Sequence, residues 1–408
     1  MSSILSYIFT VLSVFAFLSS VYIMYLLFRF MVERRHNKKR KNKYVRSNRF
    51  SSKVSNNVSK IERKIQKNRN VVFEERDRKQ NLKGEEVVKY NNGDLYKGEF
   101  IDGKRNGFGI CIFSNKEKYE GLWKNDEMYG VGKYTFLDGS TYTGDFKHGV
   151  IEGIGTYTYA NKNLYKGEFL SGKKNGKGTL YYNDGSKYIG MWKDDKKSGK
   201  GKFKNKNDDI YEGEFEDDKF NGRGTYKSKD GCVYIGEFKN NVYHGYGCYT
   251  SDKGDIYEGY YKYGLKKGSG KLKLRNGESY YGDFKDDLFN GIGKYSYSDN
   301  SMYEGDFKDG KKDGIGTYNC QLYKYIGEWK NNTKNKTGTY YLNSGNILEV
   351  FIENNSIKEG VYKVKGSDDM YLQNVDISNE KEVLENLSYY LKNENCNEIT
   401  LNTPSLYN

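Results

Sequence analysis

The 408 residues predict an all-β fold: an elongated single array of about eleven stacked antiparallel β-hairpins, with a transmembrane helix before it and a short helix after it. Three observations carry the prediction. Tyrosines recur every 23 residues, glycines are locked to those tyrosines, and the amino terminus is apolar and free of charge. A single Pro, 47 Gly and 41 Tyr exclude proline-rich linkers, and an aromatic content of 16% argues against a chain disordered throughout.

The first element is residues 4–28. Met1 to Phe28 contain no charged side chain, and 25 residues from Ile4 are enough to span about 30 Å of hydrocarbon as a helix. A cleaved leader carries its positive charge before the apolar stretch and small residues at its end. Here the charge follows, beginning at Arg29, and Tyr25, Leu26 and Leu27 offer no small-residue site. The reading is a signal anchor with an exoplasmic N-terminus and a cytosolic remainder.

Residues 29–83 form a basic juxtamembrane linker with 20 Lys/Arg against 5 Asp/Glu, a net +15. The whole chain carries +14, so everything after Lys83 is close to neutral. Arg34, Arg35, Lys38, Lys39, Arg40, Lys41 and Lys43 are the candidate contacts to anionic lipid. The alternative is a topology signal followed by a solvated linker. Val54, Val58, Ile61 and Ile65 fall at helical spacing among lysines and arginines, the pattern of a short helix on a membrane surface. No folded basic face accompanies the charge, which excludes nucleic acid as the partner.

Residues 84–347 are the array. From Tyr96 to Tyr303 a tyrosine stands at every twenty-third residue, and a step of 22 reaches Tyr325. Glycine follows each of the first ten tyrosines at steps 2, 11 and 13, which accounts for 30 of the 47 Gly in the chain. Step 4 is always aromatic: Phe100, Trp123, Phe146, Phe169, Trp192, Phe215, Phe238, Tyr261, Phe284, Phe307 and Trp329. Periodicity of two makes these strands, with Tyr, Gly and the aromatic on one face and Glu or Asp at step 3 on the other. The second strand is expected to place the Gly of steps 11 and 13 together on the aromatic face. The Asp-Gly and Asp-Asp dipeptides, such as Asp194-Asp195 and Asp286-Asp287, supply the turns. Bare glycines leave room for rings to lie across them. Stacked hairpins bury one another's edges, and 22 strands at about 4.8 Å each give a length of about 100 Å.

Tyr-x-Gly-x-Phe/Trp followed by Gly-x-Gly at this period resembles the MORN (membrane occupation and recognition nexus) repeat, over Tyr96 to Tyr341 with a half-copy from Gly84. The resemblance implies β-hairpin rods in proteins that tether membranes, organise cortical cytoskeleton, or present protein and lipid docking surfaces. The eleventh copy departs from it, with Lys336 in place of the first Gly of the pair.

Residues 348–375 read as a degenerate capping copy, with Val350 where Gly is expected. In the acidic tail, 376–408, Ser378 to Lys392 reads as a helix capped by Ser378. Its stripe is Val383, Leu384, Leu387 and Leu391, which docks on the last hairpins or recruits a partner.

No catalytic constellation, cofactor motif or metal-ligand spacing is found. His36, His148 and His244 are scattered, and five Cys, an odd number with no paired spacing, suit a reducing compartment. The Gly-x-Gly leads into a strand, where a phosphate loop leads into a helix. Specificity is therefore expected where copies differ. Step 9, on the aromatic face, is basic at Arg105, Lys174, Lys197, Lys266 and Lys312 and apolar at Met128, Ile151, Phe220, Tyr243 and Phe289. Step 12, on the back face, is apolar at Phe108, Val131 and Ile154 and again at Tyr246, Ile292 and Ile315. These two clusters are the candidate protein-binding sites, homotypic or with a partner, and they leave the aromatic groove for other ligands. The functional expectation is a non-enzymatic, single-pass membrane scaffold or tether presenting its array in the cytosol. The alternative is an anionic phospholipid or phosphoinositide reader that uses the basic segment and the lysine-rich strands.

Overall fold

Alternating side chains along Tyr-x-Gly-x-aromatic build strands, and among the described residues the computed structural model has 26 of them followed by a helix. It describes residues 63, 86–364, 366 and 369–393. The expected anchor at 4–28, the basic candidates Arg34 to Lys43 and the tail beyond 393 lie outside the described residues. Among the described residues no helix is long and apolar enough to cross a membrane.

The chain divides into two compact units, Met1–Leu180 and Tyr181–Asn408. In the first, Glu86–Lys89 pairs antiparallel with Leu95–Ile101, and each following strand pairs with the one before it as far as Leu164–Leu170. In the second, the same meander runs from Lys187–Lys193 to Met370–Asp376, and a helix α1, Glu380–Asn393, follows it. The strands beyond the 22 expected are Glu86–Lys89 before the first copy and Ile347–Glu353, Ser356–Lys363 and Met370–Asp376 after the last. The degenerate copy is thus a hairpin with a third strand added.

One internal plan recurs. The repeat tyrosine is at most 1% exposed in every copy. In the seventh copy the rings of Tyr234 and Phe238 meet edge to face at 5.1 Å, and Phe238 meets Tyr211 of the preceding copy at 5.0 Å. The Tyr234 hydroxyl donates to the carbonyl of Glu237 at 2.9 Å. The same bond to step 3 runs from Tyr96 to Tyr325, so a buried hydroxyl is satisfied each time. Gly236 and Gly247 face each other across the hairpin, and a methyl on either would overlap the Tyr234 ring. The ring therefore crosses its own hairpin.

The step-11 glycine departs from expectation. It belongs to a two-residue bulge: in the sixth copy Gly213 faces Gly224 and Glu214 faces Asn221, leaving Gly222 and Arg223 over. Gly222 is left-handed at φ 62°, and the Glu214 carboxylate occupies the space a Cβ would need. Step-3 acids cap these bulges. Glu99, Asp145 and Asp306 accept from the step-12 amides of Phe108, Ile154 and Ile315 at 2.9 to 3.1 Å.

The turns within the copies are two-residue and left-handed at both positions, as at Asp286 (φ 49°) and Asp287 (φ 71°), which suits the twist of a hairpin, whereas a turn between copies has one left-handed residue, as at Gly185 (φ 88°). The second turn residue also ties copies together, because Asp126 accepts from the Arg105 amide of the preceding copy at 2.8 Å.

The final helix starts two residues later than expected, and Ser378 does not cap it. The Ser378 amide and hydroxyl both bond to the Asp376 carboxylate, and Asn379 carries the first helical carbonyl, which accepts from Val383 at 3.1 Å. Leu384 and Leu387 are buried, whereas the side chain of Leu391 lies outside those described.

Candidate functional site

The step-4 rings are core. Trp123, Phe146, Phe169, Trp192, Phe215, Phe238, Tyr261, Phe284, Phe307 and Trp329 are all at most 6% exposed, and Phe100 in the first copy is half-buried. This corrects the expected aromatic groove: these rings pack edge-on against repeat tyrosines, as Phe146 does between Tyr119 and Tyr142, so their faces are not open to a ligand. The Trp123 and Trp329 indoles even spend their N–H on the carbonyls of Gly109 and Gly316.

Step 9 covers that core from the open side, and the residue types divide the row. Phe220, Tyr243 and Phe289 stack flat on their repeat tyrosines, each with ring centroids 3.8 Å apart. The cations take the same place by lying over rings, which attract a positive charge. In the first unit the Arg105 guanidinium lies 4.1 Å from the Trp123 ring, and its Nε is 3.2 Å from Asp126. In the second, Lys266 lies 5.3 Å from Tyr257 and 3.9 Å from Asp287.

The last two copies carry the most enclosed cations. Lys312 is surrounded by Trp329, Tyr303, Tyr297 and Tyr318 at 4.5 to 5.4 Å. Burial, with the nearby Lys334 charge second, pushes its pKa down to about 8. Lys334, a buried residue, sits among Tyr323, Tyr325 and Tyr340 at 4.6 to 4.8 Å. Its ammonium pairs closely with Glu380, the first residue of α1. The Tyr323 hydroxyl donates to the same carboxylate at 2.6 Å, and the Tyr340 hydroxyl donates to it as well. Burial lowers the Lys334 pKa and the Glu380 carboxylate works against that shift. Burial and the same carboxylate push both phenols up. This closed cluster is a carboxylate held by an ammonium and two phenols.

Sequence reasoning passed over Lys334, Tyr323, Tyr340 and Glu380. Lys334 stands nine residues after Tyr325, the position already singled out in other copies, so that signal was available. Its partner, 46 residues away, was not.

The back-face candidates fall into two environments. Phe108, Val131 and Ile154 are half-buried, and Phe108 lies opposite Leu122. Tyr246, Ile292 and Ile315 are 44%, 70% and 58% exposed. Ile292 and Ile315 face Asp306 and Glu328, while Tyr246 meets Tyr260 edge-on at 5.3 Å.

The MORN repeat family model matches ten contiguous segments from 96 to 321 and an eleventh at 325–347, more than half of the chain. No curated protein matches. Among solved structures, the TCP domain of SAS-4 (dCPAP) of Drosophila melanogaster, in complex with a proline rich motif of Ana2 (dSTIL), is 10% identical. That match covers 43% of this chain and 89% of that one, with a TM-score of 0.25. The wild-type TCP10 domain of Danio rerio CPAP is 11% identical over 54% of this chain and 94% of that one, with a TM-score of 0.24. At such scores the likeness carries no argument.

Proposed function

The chain belongs to the MORN repeat family, and from that premise we propose that it is a non-enzymatic, membrane-anchored scaffold whose array docks other polypeptides in the cytosol. One observation carries the docking: the aromatic face already holds a polypeptide element, α1, through Glu380 in the cage of Lys334 and its tyrosines. The step-9 cations lie over rings or beside carboxylates, which leaves little basic surface there for a lipid headgroup. The membrane part of the proposal rests on the apolar run 4–28 and the net +15 of residues 29–83, so lipid attraction belongs to that collar.

Flotation with phosphoinositide-containing vesicles tests the division of labour. The whole chain is expected to float and residues 84–408 alone to stay at the bottom of the gradient. Flotation of 84–408 would replace the scaffold with a lipid-reading array.

A further inference from the structure

The step-9 cations of four copies differ in one respect. Arg105 has the Asp126 carboxylate, Lys266 has Asp287, and Lys334 has Glu380. Asp126 and Asp287 are second turn residues of the following copy, and each also accepts from the backbone amide of its step-9 partner, at 2.8 and 3.0 Å. At Lys312 that turn residue is Asn332. Its amide oxygen accepts from the Lys312 backbone at 2.8 Å, so the geometry is kept and the negative charge is missing. Among the described residues no carboxylate comes within ion-pair distance of the Lys312 ammonium, which is left among four aromatic rings.

We propose that the Lys312 cage is a binding site for a carboxylate side chain of a partner polypeptide, of the same chemistry that Lys334 applies to Glu380. The two cages share Tyr318 and Trp329, so the proposed site is continuous with the filled one. The filled one also shows what the occupant looks like. Glu380 arrives on a helix whose buried residues, Leu384 and Leu387, lie four and seven positions later on the same face. A partner segment with an acid followed by apolar residues at those spacings therefore fits. The groups bearing on the Lys312 charge are Lys334, which repels it, and Glu380, which is already engaged. A carboxylate delivered there would relieve the first without competing for the second. The inference rests on the polypeptide-docking reading above.

Amine-directed acetylation of the full chain at pH 8, read lysine by lysine by mass spectrometry, tests it. The probe is a synthetic peptide of residues 376–393, wild type or with Glu380→Gln. With its pKa pushed down to about 8 by burial, Lys312 is expected to acetylate in the free chain. The wild-type peptide in excess is expected to slow it about tenfold or more, because pairing with a carboxylate restores the ammonium. The Glu380→Gln peptide should not, and exposed Lys308 and Lys311 should be unaffected by either. In the chain carrying Asn332→Asp, the restored turn carboxylate should slow Lys312 without peptide and abolish the peptide effect. No protection by the wild-type peptide, or unchanged Lys312 reactivity in Asn332→Asp, overturns the site. Polypeptide docking stands in that case as long as 84–408 still ignores vesicles. Protection of Lys312 by anionic vesicles in place of the peptide overturns both.

Discussion

The ten regular copies and the terminal hairpin Ile347–Lys363 solve the same packing problem in opposite ways. In a regular copy two glycines face each other, and a tyrosine ring lies across the bare backbone, as Tyr234 does over Gly236 and Gly247. In the terminal hairpin Leu348 stands in the tyrosine position, Val350 faces Gly360, and Ile352 takes the place of the aromatic; the two outer residues, Leu348 and Ile352, are fully buried. A Cβ at Val350 leaves no room for a crossing ring, so branched aliphatic side chains fill the layer instead. The first arrangement propagates, because each ring is wedged between two neighbours. The second ends the series and is closed by Met370–Asp376 and α1.

Adding one methyl group tests this contrast most severely. Gly247→Ala would drive a Cβ into the Tyr234 ring, whose Cζ lies 2.5 Å from that position. Overpacking of this kind is expected to cost about 3 kcal/mol. Gly360→Ala meets nothing closer than 3.4 Å and should cost under about 1 kcal/mol. Hydrogen exchange of the amides in each hairpin separates the two, since repeat arrays need not unfold as one unit. Equal losses at both sites would mean that the ring-on-glycine layer is not what holds a copy together.

The contrast also explains what could be read in advance. Hairpins, their 23-residue spacing and the Asp-rich turns follow from local patterns, because a turn or a strand needs only nearby residues. The step-11 glycines could not be placed by alternation, since a two-residue bulge such as Gly222-Arg223 takes them out of the pairing while leaving steps 9 and 13 on one face. Step-4 aromatics share a face, as their spacing requires. Whether that face is covered depends on step-9 residues from the same and adjacent copies, so Trp123 and Phe146 read as a groove when they are core. The Lys334–Glu380 cluster needed the path of the chain through the terminal hairpin, which no spacing rule supplies.

That cluster supports the second test, similar in size but confined to one helix. Glu380→Gln keeps the shape of the side chain and removes the charge facing Lys334, which stays buried among its rings. An ammonium left without its counter-charge at a buried site costs about 3 kcal/mol, and here the loss falls on the docking of α1. Hydrogen exchange in Glu380–Asn393 should rise steeply while the regular copies keep their protection. Unchanged exchange in α1 would place its attachment in Leu384 and Leu387 alone.

The eleventh copy lies between the two regimes, and it offers the finest test. It keeps Tyr325 over Gly327 and Gly338, but Lys336 replaces the bulge glycine and is held left-handed at φ 51°. A side chain in that conformation costs about 1 kcal/mol, which glycine avoids at the expense of a more flexible unfolded chain. Lys336 regains something by pairing with Glu328 at 3.5 Å, yet its own side chain is 62% exposed and such pairs are worth little. The same Glu328 carboxylate already accepts from Thr337 at 3.3 Å, so it does not depend on the lysine. Lys336→Gly is therefore expected to stabilise the hairpin by about 0.5 kcal/mol, seen as slower exchange across Thr333–Leu342. Faster exchange there would show that the Lys336–Glu328 pair outweighs the strained backbone. The irregular copy would then be fitted to its place beside the terminal hairpin, and it would no longer count as a weakened version of the other ten.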